Sequence, residues 1–238
     1  MTLSIWWIRR DLRLHDNQAL HAALQQNAAI VPLYIIDPKL LKSANVGEKR
    51  IAFLFGGLRA LAEDLAAHGS RLIIRHGEPG KILAEFVVEH DVAHIFAEED
   101  FSPYAQVRDK AIQAHLPLHL TPGLTIHPMG SVYKDDGQPY QVYNPYKKRW
   151  LTTFDTNPYN LIAVPSRIPT PTHIMSEAIP ETPSLPSTVP FAPGETEASK
   201  RLSAFLKRDE FAIDGYAQNR ERPDLDGTSQ LSPYFALA

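Results

Sequence analysis

The sequence has no cysteine in 238 residues and only three tryptophans and three methionines. Disulfide frameworks, thiolate zinc sites and cysteine nucleophiles are therefore excluded. No apolar run reaches the roughly 18 residues of a membrane-spanning helix, and the apolar start is too short for a signal-peptide core. A formal net charge of -3 argues against a general polyanion-binding protein. We therefore expect a soluble, cytoplasmic chain that does not enter a membrane.

Several well-known catalytic and nucleotide-binding motifs are also missing. No G-x-G-x-x-G follows the first apolar run, which argues against a nicotinamide dinucleotide site. The segment Gly77–Lys81 has two residues between its glycines where a P-loop has four, so it predicts a strand-to-helix turn. Nothing resembles a nucleophile elbow or a pair of hydrolytic carboxylates. The sequence therefore predicts no catalytic residue.

Four histidines have the four-residue spacing that metal ligands show on a helix. They form two pairs, His90 with His94 and His115 with His119. Each pair spans the end of a predicted helix and the start of the next predicted strand, so its two rings would not share a face. We interpret all four as structural or surface histidines and predict no metal site.

Short apolar runs alternate with longer helical patterns over the first 126 residues. This alternation predicts parallel βαβ units in a doubly wound, Rossmann-like α/β sheet of five strands, covered on both faces. The predicted strands are Ser4–Ile8, Ile30–Ile36, Arg71–Arg75, Ala93–Ala97 and Leu116–Leu120. The predicted helices are Asn17–Gln25 with Asp16 as its cap, Glu48–Ala67, Lys81–Glu89 and Val107–His115.

The composition changes after the predicted sheet. Nine of the 20 prolines fall between residues 156 and 193, where no apolar period survives, which indicates an extended connector that packs along a surface. A helical pattern returns at Glu195–Arg208, and the final GTSQLSPYFALA ends just after a new helix begins. We expect an α/β domain over 1–130, a Pro-rich connector over 131–193 and a truncated helical segment over 194–238.

Charged side chains follow three of the predicted strands. Arg9, Arg10 and Asp11 come after the first strand, Asp37 after the second, and the run Glu98–Ser102 after the fourth. Ligands of doubly wound sheets bind beyond the carboxyl ends of the strands, and arginine forks grip phosphate or carboxylate groups. The arrangement suits a planar polar ligand with an anionic tail. The alternative is a salt-bridge cluster that ties the loops together.

Two later segments allow both a binding and a structural interpretation. Residues 144–150, NPYKKRW, suit either contact with phosphate or a folate-like tail, or an amphipathic helix with a solvated face. Residues 227–233, GTSQLSP, place hydroxyl and N–H groups at a turn that opens a helix. Such a turn is either a phosphate cradle or an ordinary N-cap.

Taken together, these motifs resemble those of the DNA photolyase and cryptochrome family. The opening W-x-R-R-D-L-R-L-x-D-N, the segment P-Y-x-x-Y-N-P-Y-K-K-R-W, and Y-x-x-x-R followed by G-T-S-x-L-S-P occur in that order. The resemblance implies an N-terminal α/β domain that carries an antenna chromophore, which is a folate, a deazaflavin or a flavin such as FMN. It also implies a larger helical domain that binds FAD.

The resemblance assigns roles to individual residues. The family's antenna-cleft positions fall on Arg9, Arg10, Ile35, Ile36, Asp37, Arg50, Asp100 and Ser102. Positions that hold the FAD phosphates and ribityl chain fall on Tyr216, Thr228, Ser229, Gln230, Leu231 and Ser232, and Arg220 matches a position that faces the DNA backbone. Most of the FAD pocket is absent, so we expect FAD binding by this chain to be weak or absent. Ser102 stands where several relatives have an acidic chromophore contact, which leaves the chromophore open.

The expected function follows from this resemblance. The full-length parent would be a deoxyribodipyrimidine photolyase, a lyase that uses light to split cyclobutane pyrimidine dimers in DNA. This chain would be its antenna portion and inactive alone. The alternatives are a cryptochrome-like photosensor fragment, and a non-enzymatic nucleotide-binding module that docks on a separately encoded helical half.

Overall fold

Five parallel strands form one sheet, in which the third strand of the chain is followed by the second, first, fourth and fifth. The computed structural model describes residues 2–27, 29–43, 46–156, 159–207 and 213–235. This topology confirms the doubly wound parallel sheet of five strands that the alternating pattern predicts, and it places the first strand beside the fourth. The strands are β1 (Leu3–Ile8), β2 (Ile30–Ile36), β3 (Ile73–His76), β4 (Val92–Glu98) and β5 (Leu118–Thr121).

The helices of the described residues follow the predicted pattern, with earlier starts for two of them. Helix α3 has its predicted bounds, whereas α4 and α5 begin at prolines because a fixed φ suits the first helical turn. The helices are α1 (Gln18–Gln26), α2 (Pro38–Leu41), α3 (Glu48–Ala67), α4 (Pro79–His90), α5 (Pro103–Gln113), α6 (Tyr143–Thr156), α7 (Glu195–Phe205), α8 (Tyr216–Asn219) and α9 (Ser232–Phe235). Helix α6 contains NPYKKRW, and its basic side chains are exposed, as the amphipathic interpretation expects.

The two adjacent tryptophans of β1 anchor opposite faces of the sheet. Trp6 packs with side chains from α1 and α3, and Trp7 packs with side chains from α4 and α5. Both indole side chains are essentially inaccessible to solvent. Successive strand residues point to opposite faces, so an unbroken apolar strand is what a sheet covered by helices on both sides requires.

The cap of α1 is Asn17, not Asp16 as predicted. The Asn17 side chain accepts from the backbone N–H of Leu20 at 2.8 Å. Asp16 has a φ of 52° and instead accepts from the Ile162 N–H at 3.0 Å and from the Tyr159 hydroxyl. The left-handed backbone turns its carboxylate toward the connector, a partner some 140 residues away in sequence that no local pattern reveals.

The Pro-rich connector packs along the α/β domain, as predicted from its apolar content. Its first part contains α6, whereas residues 159–193 have neither helix nor strand. Its backbone bonds to the domain, with Ile168 N–H donating to the His68 carbonyl at 2.9 Å and Ile30 N–H donating to the Pro169 carbonyl at 2.9 Å. The side chains of Ile168 and Ile174 are buried, one on each face of the sheet. The connector therefore belongs to the core.

The last helices attach to the same body through a small apolar cluster. Helix α7 ends at Phe205, three residues before its predicted end at Arg208, which lies outside the described residues, as do residues 236–238. Tyr234 of α9 packs edge-on against Phe53 of α3, with ring centroids 5.5 Å apart. Glu195 accepts from the backbone N–H groups of Leu14 and His15, which ties the start of α7 to the loop after β1.

Candidate functional site

The carboxyl ends of β1, β2 and β4 meet around one cavity of about 290 Å³. Because β1 lies between β2 and β4, the segments that follow these strands converge where the strand order reverses. All eight residues predicted for the antenna cleft line this cavity: Arg9, Arg10, Ile35, Ile36, Asp37, Arg50, Asp100 and Ser102. Most of the remaining wall is apolar and includes Leu40, Leu41, Val46, Ile51 and Leu54.

Asp11 organises the turn that follows β1. Its buried carboxylate accepts from the Trp6 indole N–H at 3.1 Å, from the Arg9 backbone N–H at 2.9 Å and from the Asn17 amide at 3.1 Å. Trp6 is buried in the sheet and Asn17 caps α1, so this one side chain joins the strand to the next helix. These hydrogen bonds make Asp11 a structural residue of this turn.

Arg9 serves the fold more than the cavity. Its side chain is 7% exposed, and its Nη1 lies 2.5 Å from Oδ2 of Asp109 on α5. Its Nη2 donates to the backbone carbonyl of Glu98, and its guanidinium lies 5.0 Å from the centre of the Trp7 ring. Arg13 is likewise paired, with Glu98 at 2.6 Å. For these two arginines the salt-bridge interpretation describes the structure.

Arg10, unlike Arg9, remains available to a ligand. Its side chain is 41% exposed, and its ion pair with Asp100 is loose, with Nη1 and Oδ1 3.9 Å apart. Its Nε is buried and has no hydrogen-bond partner among the described residues. Asp100 itself accepts from the Ser102 N–H at 2.9 Å, and the Ser102 hydroxyl accepts from the Ala105 N–H to cap α5. A buried unsatisfied donor is costly, so an anionic group bound beside Arg10 would be stabilised.

Asp37 shapes the wall of the cavity. One carboxylate oxygen accepts from the Lys39 N–H at 2.8 Å and caps α2, and the other accepts from the Tyr104 hydroxyl. Burial and this hydrogen bond to Asp37 raise the pKa of Tyr104 to about 12, so the phenol stays protonated and keeps donating. Both oxygens of Asp37 are thus engaged, which fixes the position of α2 beside the cavity.

Arg108 is a cavity residue that the sequence reasoning missed. Its guanidinium lies 4.8 Å from the centre of the Trp7 ring, and its Nε donates to Oδ1 of Asp109 at 2.8 Å. It lines the cavity from within α5, away from any strand end. Nothing in the local sequence distinguishes it from the exposed Lys110 two residues later, so only the packing of α5 on the sheet could reveal it.

The residues predicted to hold part of FAD lie in a second region. Gly227 packs against Asn219, where an added Cβ would lie 2.7 Å from the Asn219 Cβ, so α8 and the segment 228–232 are neighbours. Among the predicted residues, those with hydroxyl groups have at least partly exposed side chains: Tyr216, Thr228, Ser229 and Ser232.

The other predicted residues of this region have protein partners. Leu231 is buried beside Phe53 in the cluster that holds α9. Gln230 has a φ of 51°, and its amide donates to Asp226. Arg220, predicted to face DNA, is exposed, and its Nη2 lies 3.4 Å from a carboxylate oxygen of Glu221.

The described ranges hold neither a metal-ligand cluster nor a membrane-spanning helix. No three His, Asp or Glu side chains are grouped there so as to hold a metal ion. No helix in the same part of the chain is long and apolar enough to cross a bilayer.

The DNA photolyase family model matches residues 4–171. The chain belongs to the DNA photolyase family. It is 32% identical to a deoxyribodipyrimidine photo-lyase of Synechococcus sp., over 96% of this chain and 50% of that protein. It is also 32% identical to an uncharacterized 31.6 kDa protein of another Synechococcus strain, over 97% of this chain and 83% of that protein.

A solved structure gives the same result. The crystal structure of a class III photolyase from Agrobacterium tumefaciens superposes with a TM-score of 0.84 at 25% identity, covering 99% of this chain and 50% of that one. The resemblance that the sequence motifs predict is therefore confirmed. The chain contains the N-terminal α/β domain of the family and spans about half the length of the photolyases it matches.

Proposed function

We propose that the chain is the antenna-chromophore-binding portion of a deoxyribodipyrimidine photolyase-like protein. In this proposal the antenna domain spans 1–130, the connector 131–193 and the start of the FAD-binding helical domain 194–238. The observation that carries the proposal is the convergence of all eight predicted cleft residues on one cavity, with the partly exposed Arg10 at its rim. An apolar wall with an arginine at its edge suits a planar ring system with an anionic tail.

The size of the cavity indicates which part of a chromophore it would hold. A volume of about 290 Å³ lies just below the roughly 300–1,000 Å³ typical of small-molecule pockets. The cavity would therefore enclose a ring system, while a glutamate or phosphate tail passes Arg10 and Arg50 toward solvent. A folate and FMN have this build, and a deazaflavin has it when its ribityl chain carries a phosphate. Antenna function requires a fixed position and orientation, and the chemistry belongs to the chromophore.

The test is a spectroscopic titration of the purified chain. Absorption and fluorescence are recorded as purified, and again with a folate, a deazaflavin and FMN added in turn. We expect one near-ultraviolet or blue absorber to bind stoichiometrically, and Arg10→Ala to weaken its binding about tenfold or more. Lys110→Ala, which removes an exposed charge from α5, is the matched control and should bind as the wild type does.

Two outcomes would contradict the proposal. Equal affinity of the wild type and Arg10→Ala for the bound chromophore would remove the role assigned to Arg10. The other outcome is a folded chain that binds none of the three chromophores. The charged residues at the strand ends would then only tie the loops together by salt bridges, as the structural interpretation expects.

FAD binding and DNA repair are assigned to the full-length parent. Tyr216 and residues 228–232 supply only part of an FAD cradle. Little of the FAD surface would be buried there, so we expect this chain to bind FAD weakly or not at all. Arg220 would supply a single contact with the DNA backbone. Repair of dimer-containing DNA by the purified chain under blue light would show that this assignment is wrong.

We also propose that the chain associates with a helical half of photolyase type. Three large apolar side chains are exposed: Leu202 of α7 at 43%, Leu206 just after α7 at 48% and Phe235 of α9 at 71%. Exposed apolar surface of this kind marks interaction sites. Size-exclusion chromatography with a purified helical half should show a complex that Leu202→Glu weakens. If no complex forms, the proposed association with a helical half is wrong.

The complex with the helical half also distinguishes a photosensor from a repair enzyme. A cryptochrome-like protein would bind the antenna chromophore and FAD without restoring dimer-containing DNA. A photolyase-like complex would restore it under blue light.

A further inference from the structure

Two histidines from neighbouring strands meet near the β5 edge of the sheet. Nδ1 of His94 on β4 and Nε2 of His119 on β5 lie 3.1 Å apart, and the ring centroids are 5.2 Å apart. His119 is exposed and His94 is partly exposed, so solvent reaches the pair. Each of the two i,i+4 pairs noted in the sequence contributes one member, and the sheet brings the two together.

The sheet holds both imidazoles in place. Strands β4 and β5 are paired in parallel register, with Phe96 opposite His119. The Phe96 ring stacks on the His119 ring, with centroids 5.0 Å apart and planes 24° apart, and it also contacts the His94 ring at 6.0 Å. Phe96 is itself buried in the core beside Trp6. The two nitrogens therefore face each other from rigid strands, and little conformational entropy remains to be lost when both bind one ion.

We propose that His94 and His119 form a two-histidine site for a divalent transition-metal ion, with Cu²⁺ the preferred occupant. Two imidazole nitrogens that each lie about 2.0–2.1 Å from one ion, in adjacent coordination positions, are about 3 Å apart. The observed 3.1 Å matches that separation without movement of either strand. Imidazole suits copper, nickel and zinc, and the affinity of a given site is highest for Cu²⁺ in this series. This site is independent of the chromophore cavity and of the function proposed above.

The surroundings of the pair favour binding that is reversible. The neutral imidazole is the form that binds metals, and solvent reaches both rings of the pair. No third His, Asp or Glu of the described residues completes a ligand group around the pair. Water would fill the remaining coordination positions, so the affinity should be modest compared with that of a closed structural site.

The test is a Cu²⁺ titration of the full, tag-free chain, followed by electron paramagnetic resonance. We expect the first equivalent to bind at one site whose hyperfine pattern reports two imidazole nitrogens. His94→Ala and His119→Ala should each weaken that binding tenfold or more, and His119→Gln should do the same while keeping a hydrogen-bonding side chain. The matched control is His76→Ala, which removes a partly exposed histidine of β3 and should leave the first equivalent unchanged. Circular dichroism verifies that each variant is folded.

Two results would overturn the site. One is a wild-type spectrum that shows a single nitrogen ligand, or copper distributed over several sites. Either observation would mean that the copper is an adventitious ion only. The other is unchanged affinity in the folded His94→Ala/His119→Ala double variant, which would reduce the contact to an N–H···N hydrogen bond between neutral rings. Because the nitrogen count is read on the wild type, the proposal remains testable if a variant does not fold.

Discussion

Arg13 donates from Nη2 to Oε1 of Glu98 at 2.6 Å, which joins the loop after β1 to the end of β4 across 85 positions of sequence. The Glu98 side chain is 3% exposed, and its other oxygen has no hydrogen-bond partner among the described residues. Gly123 closes over it, since an added Cβ there would lie 2.2 Å from the Glu98 carboxyl carbon. One buried carboxylate thus joins the first loop, the fourth strand and the segment after β5.

The stability of the protein should depend on pH through Glu98. Burial raises the pKa of Glu98 from 4.5 to about 7, and the Arg13 charge lowers it by less. A carboxyl group whose pKa is raised on folding binds its proton more tightly in the folded state. Its contribution to the free energy of unfolding is therefore fully present below about pH 4.5 and is lost as the pH rises to about 7.

Denaturant unfolding of the wild type and of Glu98→Gln between pH 5 and 8 measures this effect. The wild type should lose on the order of 2 kcal/mol relative to the variant over that range. A constant difference would mean that Arg13 keeps Glu98 ionised throughout.

Arg9 and Arg10 are adjacent in sequence, but substitution of Arg9 should lower the free energy of unfolding more than substitution of Arg10. Arg9→Ala removes one of the two arginines that contact the buried Asp109 and leaves Arg108 as its partner, so the lost charged hydrogen bond should cost about 1.5–3 kcal/mol. Arg10→Ala removes a side chain that is 41% exposed, so its cost should stay below about 1 kcal/mol. Thermal unfolding of both variants without added chromophore compares them. Similar destabilisation by the two would show that Arg10 is also a structural residue.

Asp16 should tolerate asparagine better than alanine. Its positive φ disfavours most side chains, and asparagine adopts the left-handed region more readily than alanine. Asparagine also keeps an oxygen that can accept from the Ile162 N–H and the Tyr159 hydroxyl. We expect Asp16→Ala to cost about 2 kcal/mol or more and Asp16→Asn about half as much. Equal costs, measured by denaturant unfolding, would mean that the negative charge is what matters.

The connector should contribute to the stability of the α/β domain. Ile168→Ala removes a fully buried side chain and should cost about 2–5 kcal/mol. Leu161→Ala, on the same connector but with a side chain that is 79% exposed, should change stability by no more than about 0.5 kcal/mol. If both variants melted at the wild-type temperature, the connector would be a linker that merely lies along the domain.

The sequence alone was sufficient for the architecture and for most of the cavity. Apolar runs bounded by turn residues are local signals, and their alternation with helical patterns leaves a parallel sheet as the simplest solution. The cavity residues could be named because strand ends in a doubly wound sheet share one edge, and because the motif around Arg9 and Arg10 resembles that of a known family. Strand β2 and helix α3 have their predicted bounds for the same reason, since both are long and strongly patterned.

Only the tertiary structure decided which charges hold the fold and which remain for a ligand. Arg9, Arg10 and Arg13 look alike in sequence, but their partners Asp109, Asp100 and Glu98 lie 85 to 100 positions away, and each pairing depends on how α5 and β4 pack against β1. The same holds for His94 and His119, which share no local pattern and meet because β4 and β5 are paired in register. Local sequence determines which elements form, whereas long-range contacts between charged groups are set by the distances that packing imposes.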